Sequence, residues 1–305
     1  MLFALLEKHA TETPAKLAIA EGNRTISYGE LSLFISMVTA NLSAIGVTRG
    51  TKIAICLSHS IEYITLFFAI TRVGAVVIPF PATVENDETN SVHIESNCDY
   101  ILIEDAYLEK FKFKNDAGIN SVIVSDNTPG TSLYDVFREN ASSYEGGARF
   151  ADANFAMRYA SDTNVLSKEP AETQHGYVSR VTSYVRAADL TSNDSTLRVP
   201  HHANTADRLS WSALITGQTL YLVSNDNKDP AKVAQIIDTE AITIFDGPSW
   251  FYRDLIDTPN IERFKFSSLR IAIYGQGPLP KRVADWFLRR LDLRVVDPSG
   301  LTGMA

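Results

Sequence analysis

A hydroxyl-rich stretch with a single lysine has the residue types that could hold a chain of phosphates. Residues 159–170 read YASDTNVLSKEP; they follow an apolar run at 155–157 and precede a segment, 171–188, that is suited to a helix. Strand, polar loop, lysine and helix is an arrangement in which backbone N–H groups and a lysine surround phosphate. The stretch therefore predicts a phosphate-binding loop, although it contains no glycine. The alternative, which stays open, is a surface loop with one solvated lysine.

A glycine turn is the second feature whose spacing suits ligand binding. Gly275, Gln276 and Gly277 follow an apolar run that is typical of a buried strand. In open α/β sheets, ligands bind beyond the carboxyl ends of the strands, where such turns lie. We expect the turn to contact a purine or an acyl group. The alternative is a turn that only connects a strand to a helix.

Two histidines and an aromatic run are the remaining candidates. His201 and His202 are adjacent, and we identify no further ligands near them, whereas a zinc site needs three or four. We therefore predict no metal site. Trp250 begins an aromatic run, 250–252, that we assign to the core and to the wall of a pocket.

The elements that must position these residues alternate along the chain. Continuous apolar runs are typical of strands covered on both faces, and here they alternate with helical patterns. This alternation predicts an α/β fold of mostly parallel sheets flanked by helices. The expected strands are residues 17–20, 52–57, 75–80, 100–103, 121–124, 219–223, 241–245, 269–274 and 293–296. The expected helices are residues 2–10, 61–73, 171–188 and 209–216, with others opening at 27 and 229 and one near 283–291.

A polar segment divides the pattern into two halves. Residues 126–152 are rich in Gly, Ser, Asn and Asp, which is typical of a boundary. We therefore predict a first α/β subdomain at 1–150 and a second at 151–305 that contains the phosphate-loop stretch.

Composition limits the classes of function. The chain has 305 residues, of which 45% are hydrophobic, and a net charge of −8, which argues against nucleic-acid and anionic-membrane partners. Acidity does not exclude ATP, because phosphate sites are local and built largely from backbone N–H groups. The two cysteines, Cys56 and Cys98, are too few for a disulfide scaffold, and the first residues lack an export signal. We predict a cytoplasmic protein.

Several segments match a known family in order and at natural distances. They are ISYGEL (26–31), RVGAVVIPF (72–80), ITIFDGPSWFYRDL (242–255), SSLRIAIYGQGPLP (267–280) and DPSGLTGMA (297–305). Together they resemble the large N-terminal domain of the adenylate-forming superfamily, which includes acyl-CoA synthetases, firefly-type luciferases and the adenylation domains of peptide synthetases. The resemblance covers essentially the whole chain. It implies stacked, mostly parallel sheets flanked by helices, without the C-terminal lid domain.

The phosphate loop departs from the family pattern. Relatives have a loop rich in glycine; here Ser161, Thr163 and Lys168 match it, while Asp162 and Glu169 stand where glycines belong, as does the valine at 165. Glycine lets N–H groups turn toward phosphate in conformations that other residues avoid. Each added carboxylate would also repel phosphate by up to about 4 kcal/mol at ~4 Å and an effective dielectric constant of ~20. We expect a weakened hold on ATP or AMP.

The last matching segment shows similar changes. Gly300 and Thr302 match, but Ser299 replaces the aromatic residue that stacks on adenine, and Gly303 replaces the glutamate that helps to hold Mg²⁺ in relatives. The resemblance implies ATP or AMP and Mg²⁺ as cofactors, with the metal held less well. It also makes Lys168 and Thr302 the catalytic candidates.

The resemblance also places an acid pocket. His202 and Ala203 fall near the position that shapes the acyl pocket in relatives, with Trp250 and Gly275 as further lining residues. Asn204 lies near an aspartate that binds the α-amine in amino-acid-activating relatives, and its neutral side chain disfavours an amino-acid substrate. We expect a carboxylic acid, aryl or acyl, in a biosynthetic pathway.

Three hypotheses remain. In the first, the protein adenylates an acid; the sequence ends at residue 305, where relatives continue with a lid, so we expect it not to complete transfer to a thiol alone. In the second, it binds an acid or a nucleotide without turnover. In the third, it is a non-catalytic subunit that associates with a complete acyl-activating enzyme or with a second copy of itself.

Overall fold

Helices and strands alternate in the computed structural model, which describes residues 2–79, 98–104, 121–124, 136–137, 154–156, 159–161, 166–168, 172–199, 208–223, 228–275, 277–291 and 294–296. The helices in these ranges are α1 (Leu2–Glu12), α2 (Tyr28–Ala44), α3 (Ile61–Val73), α4 (Gln174–Ala187), α5 (Arg208–Ile215), α6 (Pro230–Thr239), α7 (Ser249–Ile256) and α8 (Lys281–Arg290). The strands are β1 (Leu17–Glu21), β2 (Arg24–Ser27), β3 (Lys52–Cys56), β4 (Val76–Pro79), β5 (Tyr100–Ile103), β6 (Ser121–Val124), β7 (Asn154–Ala156), β8 (Tyr159–Ser161), β9 (Leu166–Lys168), β10 (Glu172–Thr173), β11 (Ser195–Arg198), β12 (Thr219–Leu222), β13 (Ile244–Pro248), β14 (Ile271–Gly275) and β15 (Arg294–Val296).

The chain divides into two compact units. The first comprises Met1–Ala10, Gly29–Ser179 and His202–Ala206, and the second comprises Thr11–Tyr28, Arg180–His201 and Asp207–Ala305. This division differs from the boundary predicted at residue 150. The early segment joins the second unit because β1 pairs with β12 in its sheet.

A mostly parallel sheet organises the first unit. Its described strands lie in the order β10-β7-β4-β3-β5-β6, and only β10 runs antiparallel to its neighbour. Helix α3 connects β3 to β4. It begins at Ser60, whose hydroxyl accepts a hydrogen bond from the Tyr63 amide, and ends at Gly74, where φ is 86°. These caps match the rules for helix ends, and the helix has the bounds predicted from sequence.

A second sheet organises the second unit. Among the described residues its order is β15-β14-β13-β11-β12-β1-β2, and all neighbours except β1 and β2 are parallel. Phe245 packs on one face with residues of α6, α7 and α8, and its neighbour Ile244 packs on the other with Tyr184 of α4. Successive strand residues point to opposite faces, so helices cover both sides. The predicted α/β class is confirmed.

Several elements begin elsewhere than the sequence suggested. Strand β13 begins at Ile244 rather than 241, because Ala241 has a positive φ of 48° in the preceding turn. Helix α4 begins at Gln174 rather than 171, because Glu172 and Thr173 pair with β7. Strands β2 and β11 were not predicted, since their short, polar sequences lack an apolar run.

Candidate functional site

Two turns meet at the carboxyl edge of the seven-stranded sheet. Because β13 and β14 are parallel, both end at the same edge, with Pro248 opposite Gly275. The two turns are the first turn of helix α7, which follows β13 directly, and the predicted glycine turn, which begins at Gly275, the last residue of β14. The arrangement matches the place where open α/β sheets bind ligands.

Ser249 joins these two turns. Its hydroxyl oxygen lies 3.0 Å from the Gly275 carbonyl oxygen and 2.6 Å from that of Gly277, so it can donate to either. Gly277 has φ of 111°, and no described atom lies within 4 Å of the position that a Cβ would take. Its backbone angle rather than crowding therefore requires glycine. Gly277 is exposed and Gly275 is half-buried, so the turn is accessible to a ligand.

The Tyr252 hydroxyl lies between strands β13 and β14, close to the two turns. Its hydroxyl lies 2.8 Å from the carbonyl oxygens of both Phe245 in β13 and Ile273 in β14. Burial, and then the negative charge of Asp246, raise the pKa of Tyr252 well above its ordinary value. The hydroxyl therefore keeps its proton and can donate it to either carbonyl.

The aromatic run divides between the core and the edge. Phe251 and Tyr252 are fully buried, which confirms the core part of the prediction. Trp250 is half-buried in the first turn of α7, with its ring 5.7 Å from that of Phe251. Its assignment to a pocket wall stays a prediction.

The phosphate-loop stretch contains a pair of short strands in the first unit. Strands β8 and β9 are antiparallel, with Ser161 opposite Leu166 and Lys168 opposite Tyr159. The described parts of the predicted loop are thus regular backbone rather than open loop. Phosphate contact by Ser161 and Lys168 stays a prediction.

The other predicted site residues lie outside the described residues. They are Thr163, His202, Ala203, Gln276, Ser299, Gly300 and Thr302. Their roles in binding a nucleotide or an acid stay predictions.

The described ranges contain neither a cluster of metal ligands nor a helix able to span a membrane. There, no group of three or more His, Cys, Asp or Glu side chains is arranged to hold a metal ion. None of the helices seen there has the length and apolar character that crossing a membrane requires. Cys56 and Cys98 are both buried and unbridged.

The sequence did not identify three residues at the carboxyl edge. Arg198 and Asp246 form a buried ion pair between β11 and β13, and Ser249 connects the turns. For the ion pair, the available signal was a charged residue next to apolar ones at 197–199 and 244–246, since a charge is uncommon in a buried strand unless it is paired. Ser249 had no such signal.

The fold and its carboxyl edge place the chain among α/β proteins of the kind that bind small ligands at strand ends. More narrowly, the chain matches the AMP-binding enzyme family over residues 6–304 and belongs to that family. The resemblance to acyl-CoA synthetases and to adenylation domains is therefore confirmed.

Individual relatives are distant. The long-chain-fatty-acid–CoA ligase FadD13 of Mycobacterium tuberculosis is 21% identical over 98% of this chain and 59% of that protein. Bacitracin synthase 3 of Bacillus licheniformis is 23% identical over 96% of this chain and 4% of that protein. The chain thus spans only part of the length of these relatives.

Solved structures confirm the fold. The N-terminal domain of FACL13 from M. tuberculosis matches with a TM-score of 0.85 and 19% identity, over 97% of this chain and 74% of that one. The anthranilate CoA ligase AuaEII, in complex with anthranoyl-AMP, also matches with a TM-score of 0.85, at 17% identity, over 97% of this chain and 58% of that one.

Proposed function

We propose that this protein binds an aryl or acyl carboxylic acid and an adenine nucleotide at the carboxyl edge of the seven-stranded sheet. We further propose that it adenylates the acid slowly, or only with a partner protein. The observation that supports this most is the hydrogen-bonded pair of turns after β13 and β14, in a chain that belongs to the AMP-binding family.

The reaction proposed is the transfer of AMP to a carboxylate. A carboxylate oxygen attacks the α-phosphorus of ATP, the bond to the bridging oxygen breaks, and pyrophosphate leaves. Mg²⁺ bound with ATP supplies charge neutralisation for the leaving pyrophosphate. In the second unit, the turn at residues 275–277 contacts the adenine or the acyl group, and Trp250 lines the acid pocket. In the first unit, Lys168 supplies the positive charge of the phosphate-loop stretch.

Slow turnover follows from the same stretch. Residues 159–170 contain no glycine and two additional carboxylates, Asp162 and Glu169. Fewer backbone N–H groups can then face phosphate, and two negative charges oppose a triphosphate. We therefore expect the protein to bind AMP better than ATP.

Pyrophosphate exchange and thermal shift test this function together. With ATP, Mg²⁺ and a panel of aryl and fatty acids, we expect acid-dependent exchange at least about 10³-fold below the ~10 s⁻¹ typical of enzymes. We expect AMP and the preferred acid each to raise the melting temperature. Lys168→Ala should abolish the residual exchange, whereas Lys232→Ala, which removes an exposed lysine of α6, should leave it unchanged.

Two outcomes would contradict the proposal. Exchange at an ordinary enzymatic rate that depends on Lys168 would disprove slow turnover. No thermal shift with AMP or with any acid in the panel would disprove binding.

A second candidate is a non-catalytic ligand-binding module or partner subunit. It is favoured by the glycine-free stretch, whose flanks pair as β8 and β9. It predicts thermal shifts with no exchange under any condition, even after addition of a complete acyl-activating enzyme. For the partner subunit, native mass spectrometry should show a complex with that enzyme or with a second copy of this chain; a monomer in both experiments would contradict that role.

A further inference from the structure

An arginine and an aspartate face each other at the carboxyl edge of the seven-stranded sheet. Arg198 is the last residue of β11, and its register partner in β13 is Asp246. Arg198 Nη1 lies 2.8 Å from Asp246 Oδ2, and the side chains are 4% and 3% exposed. The next register partners, Leu222 in β12 and Ile273 in β14, are buried and apolar. The charged pair is therefore flanked on both sides by buried apolar side chains.

Net stability does not account for such a pair. Two charges lose their hydration when they are buried, and their mutual attraction often does no more than offset that loss. A hydrophobic pair of similar volume would commonly give an equally stable protein. The attraction is strong, however, only when the two strands are in register, so the pair selects one alignment of β11 and β13.

The pair lies at the end of the described pairing between β11 and β13. The last described backbone hydrogen bond between the two strands runs from the Val199 amide to the Asp246 carbonyl, at 2.9 Å. Beyond it, the described pairing of β13 is with β14 and ends with Pro248 opposite Gly275. The alignment set by the ion pair therefore fixes the point from which the two turns project.

Two hydroxyl groups connect this part of β13 to the glycine turn. The Tyr252 hydroxyl bridges the carbonyls of Phe245, which precedes Asp246, and of Ile273 in β14. The Ser249 hydroxyl, three residues after Asp246, reaches the carbonyls on both sides of the glycine turn. A shift of Asp246 would therefore move the Ser249 hydroxyl, which holds residues 275–277, and the Tyr252 hydroxyl, which holds β14 just before them.

We infer that Arg198 and Asp246 are a positioning pair that aligns the end of β13 and, through Ser249, places the turn at residues 275–277 for ligand binding. The identity of the ligand rests on the proposed function, whereas the placement of the turn does not. Because both side chains are buried, they act through the turns rather than by touching the ligand.

A double substitution separates positioning from stability. In Arg198→Met/Asp246→Leu we expect a melting temperature within about 5 °C of wild type, because both charges are removed together. We expect amide hydrogen exchange in peptides that cover residues 275–277 to accelerate about tenfold while the rest of the sheet is unchanged. We also expect the Kd for AMP, the probe used, to rise about tenfold.

An exposed pair is the matched control. Arg282 and Asp257 are joined at 2.7 Å, with side chains 64% and 49% exposed. The same substitutions, Arg282→Met/Asp257→Leu, should change neither the exchange of residues 275–277 nor the affinity for AMP.

Wild-type exchange at residues 275–277 in a folded double variant would overturn the inference. If the double variant does not fold, Asp246→Asn replaces it, since the amide keeps an acceptor but removes the charge; unchanged exchange there would also overturn the inference. If the wild-type protein binds neither AMP nor an acid, the proposed function fails, and the exchange experiment still decides whether the pair positions the turn.

Discussion

The seven-stranded sheet has an arginine–aspartate pair at each edge, and the two pairs are built differently. At the carboxyl edge, Arg198 and Asp246 meet at 2.8 Å with both side chains almost fully removed from water. At the amino edge, Arg270 donates through Nε and Nη2 to the two carboxylate oxygens of Asp194, at 2.7 and 2.6 Å. The Arg270 side chain is 32% exposed there and so keeps part of its hydration.

Several hydrogen-bond donors surround the carboxylate of the amino-edge pair. Thr243 Oγ1 donates to Asp194 at 2.7 Å and the Thr191 amide at 2.8 Å, while Arg270 Nη2 also donates to the Asp189 carbonyl at 2.7 Å. Asp194, Thr243 and Arg270 precede β11, β13 and β14, so the network holds the starts of three strands together. The amino-edge network is therefore suited to stabilising the sheet, whereas the role that we infer for the carboxyl-edge pair is alignment of β13.

The largest loss of stability should come from removing only one partner of the buried ion pair. Asp246→Leu leaves the Arg198 guanidinium buried without its carboxylate, which should reduce the free energy of unfolding by about 3–5 kcal/mol. Denaturant unfolding measures this loss, and the Arg198→Met/Asp246→Leu double variant should recover most of it. A loss below about 1 kcal/mol in the single variant would mean that Arg198 reaches water after all.

A smaller loss is expected at the amino edge. Asp194→Ala removes the acceptor of several hydrogen bonds, but Arg270 is partly exposed and can be rehydrated, so the loss should be about 2–3 kcal/mol. The same unfolding experiment measures it. Asp254→Ala, which removes a carboxylate from an exposed pair with Arg253, is the control and should show no measurable change. If Asp194→Ala lost more stability than Asp246→Leu, the amino-edge pair and not the carboxyl-edge pair would be the more sensitive to loss of its carboxylate.

The amino edge should also make stability depend on pH. Burial alone would raise the pKa of Asp194, but hydrogen bonds from Arg270, the Thr191 amide and Thr243, together with the charge of Arg270, outweigh it and lower the pKa. A carboxyl group with a lowered folded pKa contributes fully above its unfolded pKa of about 4. That contribution is lost as the pH falls through the folded pKa.

Denaturant unfolding of the wild-type protein and Asp194→Asn over a pH series measures this dependence. The stability difference between them should be constant near neutral pH and should narrow as the pH falls below about 4. A difference that stays the same at low pH would show that the charge of Asp194 does not contribute.

The sequence predicted those features of the two edges that have a strong local signal, and it missed those that depend on distant contacts. Helix α6 was predicted at its start because Asp229 and Pro230 are strong local signals, and the Asp229 carboxylate does accept the Ala231 amide. The glycine turn was located for the same reason. Strand β11 was missed because Ser, Thr and Arg interrupt its apolar character. These residues are accommodated by partners far along the chain, as when Thr196 donates to Gln218 at 2.7 Å.

The hydroxyls of the carboxyl edge were missed for a related reason. Ser249 contacts carbonyls 26 and 28 residues away, and no local pattern indicates such a pairing. The order of motifs predicts ligand binding at this edge, and that stays a prediction. The contacts at the edge depend on strand register, which is hard to recognise in sequence when strands are apolar on both faces.

The smallest effect on stability should come from substituting Ser249, whose hydroxyl links β13 to the glycine turn. Ser249→Ala removes a hydroxyl but no charge, so the free energy of unfolding should fall by only about 1 kcal/mol. Its effect should be local, because the turn at residues 275–277 loses the donor that lies 3.0 and 2.6 Å from its carbonyls. Hydrogen exchange there should accelerate as in Arg198→Met/Asp246→Leu.

Combining Ser249→Ala with Arg198→Met/Asp246→Leu tests whether the ion pair acts on the glycine turn through Ser249. If the ion pair places the turn through Ser249, adding Ser249→Ala to the double variant should accelerate exchange little further, because groups that act in series are not additive. Ser268→Ala is the control, since its hydroxyl donates to the Ile242 carbonyl at 2.9 Å, near the start of β13 rather than its end. Fully additive effects on exchange would mean that the ion pair and Ser249 act on the glycine turn independently. The ion pair would then not place the turn through the Ser249 hydroxyl.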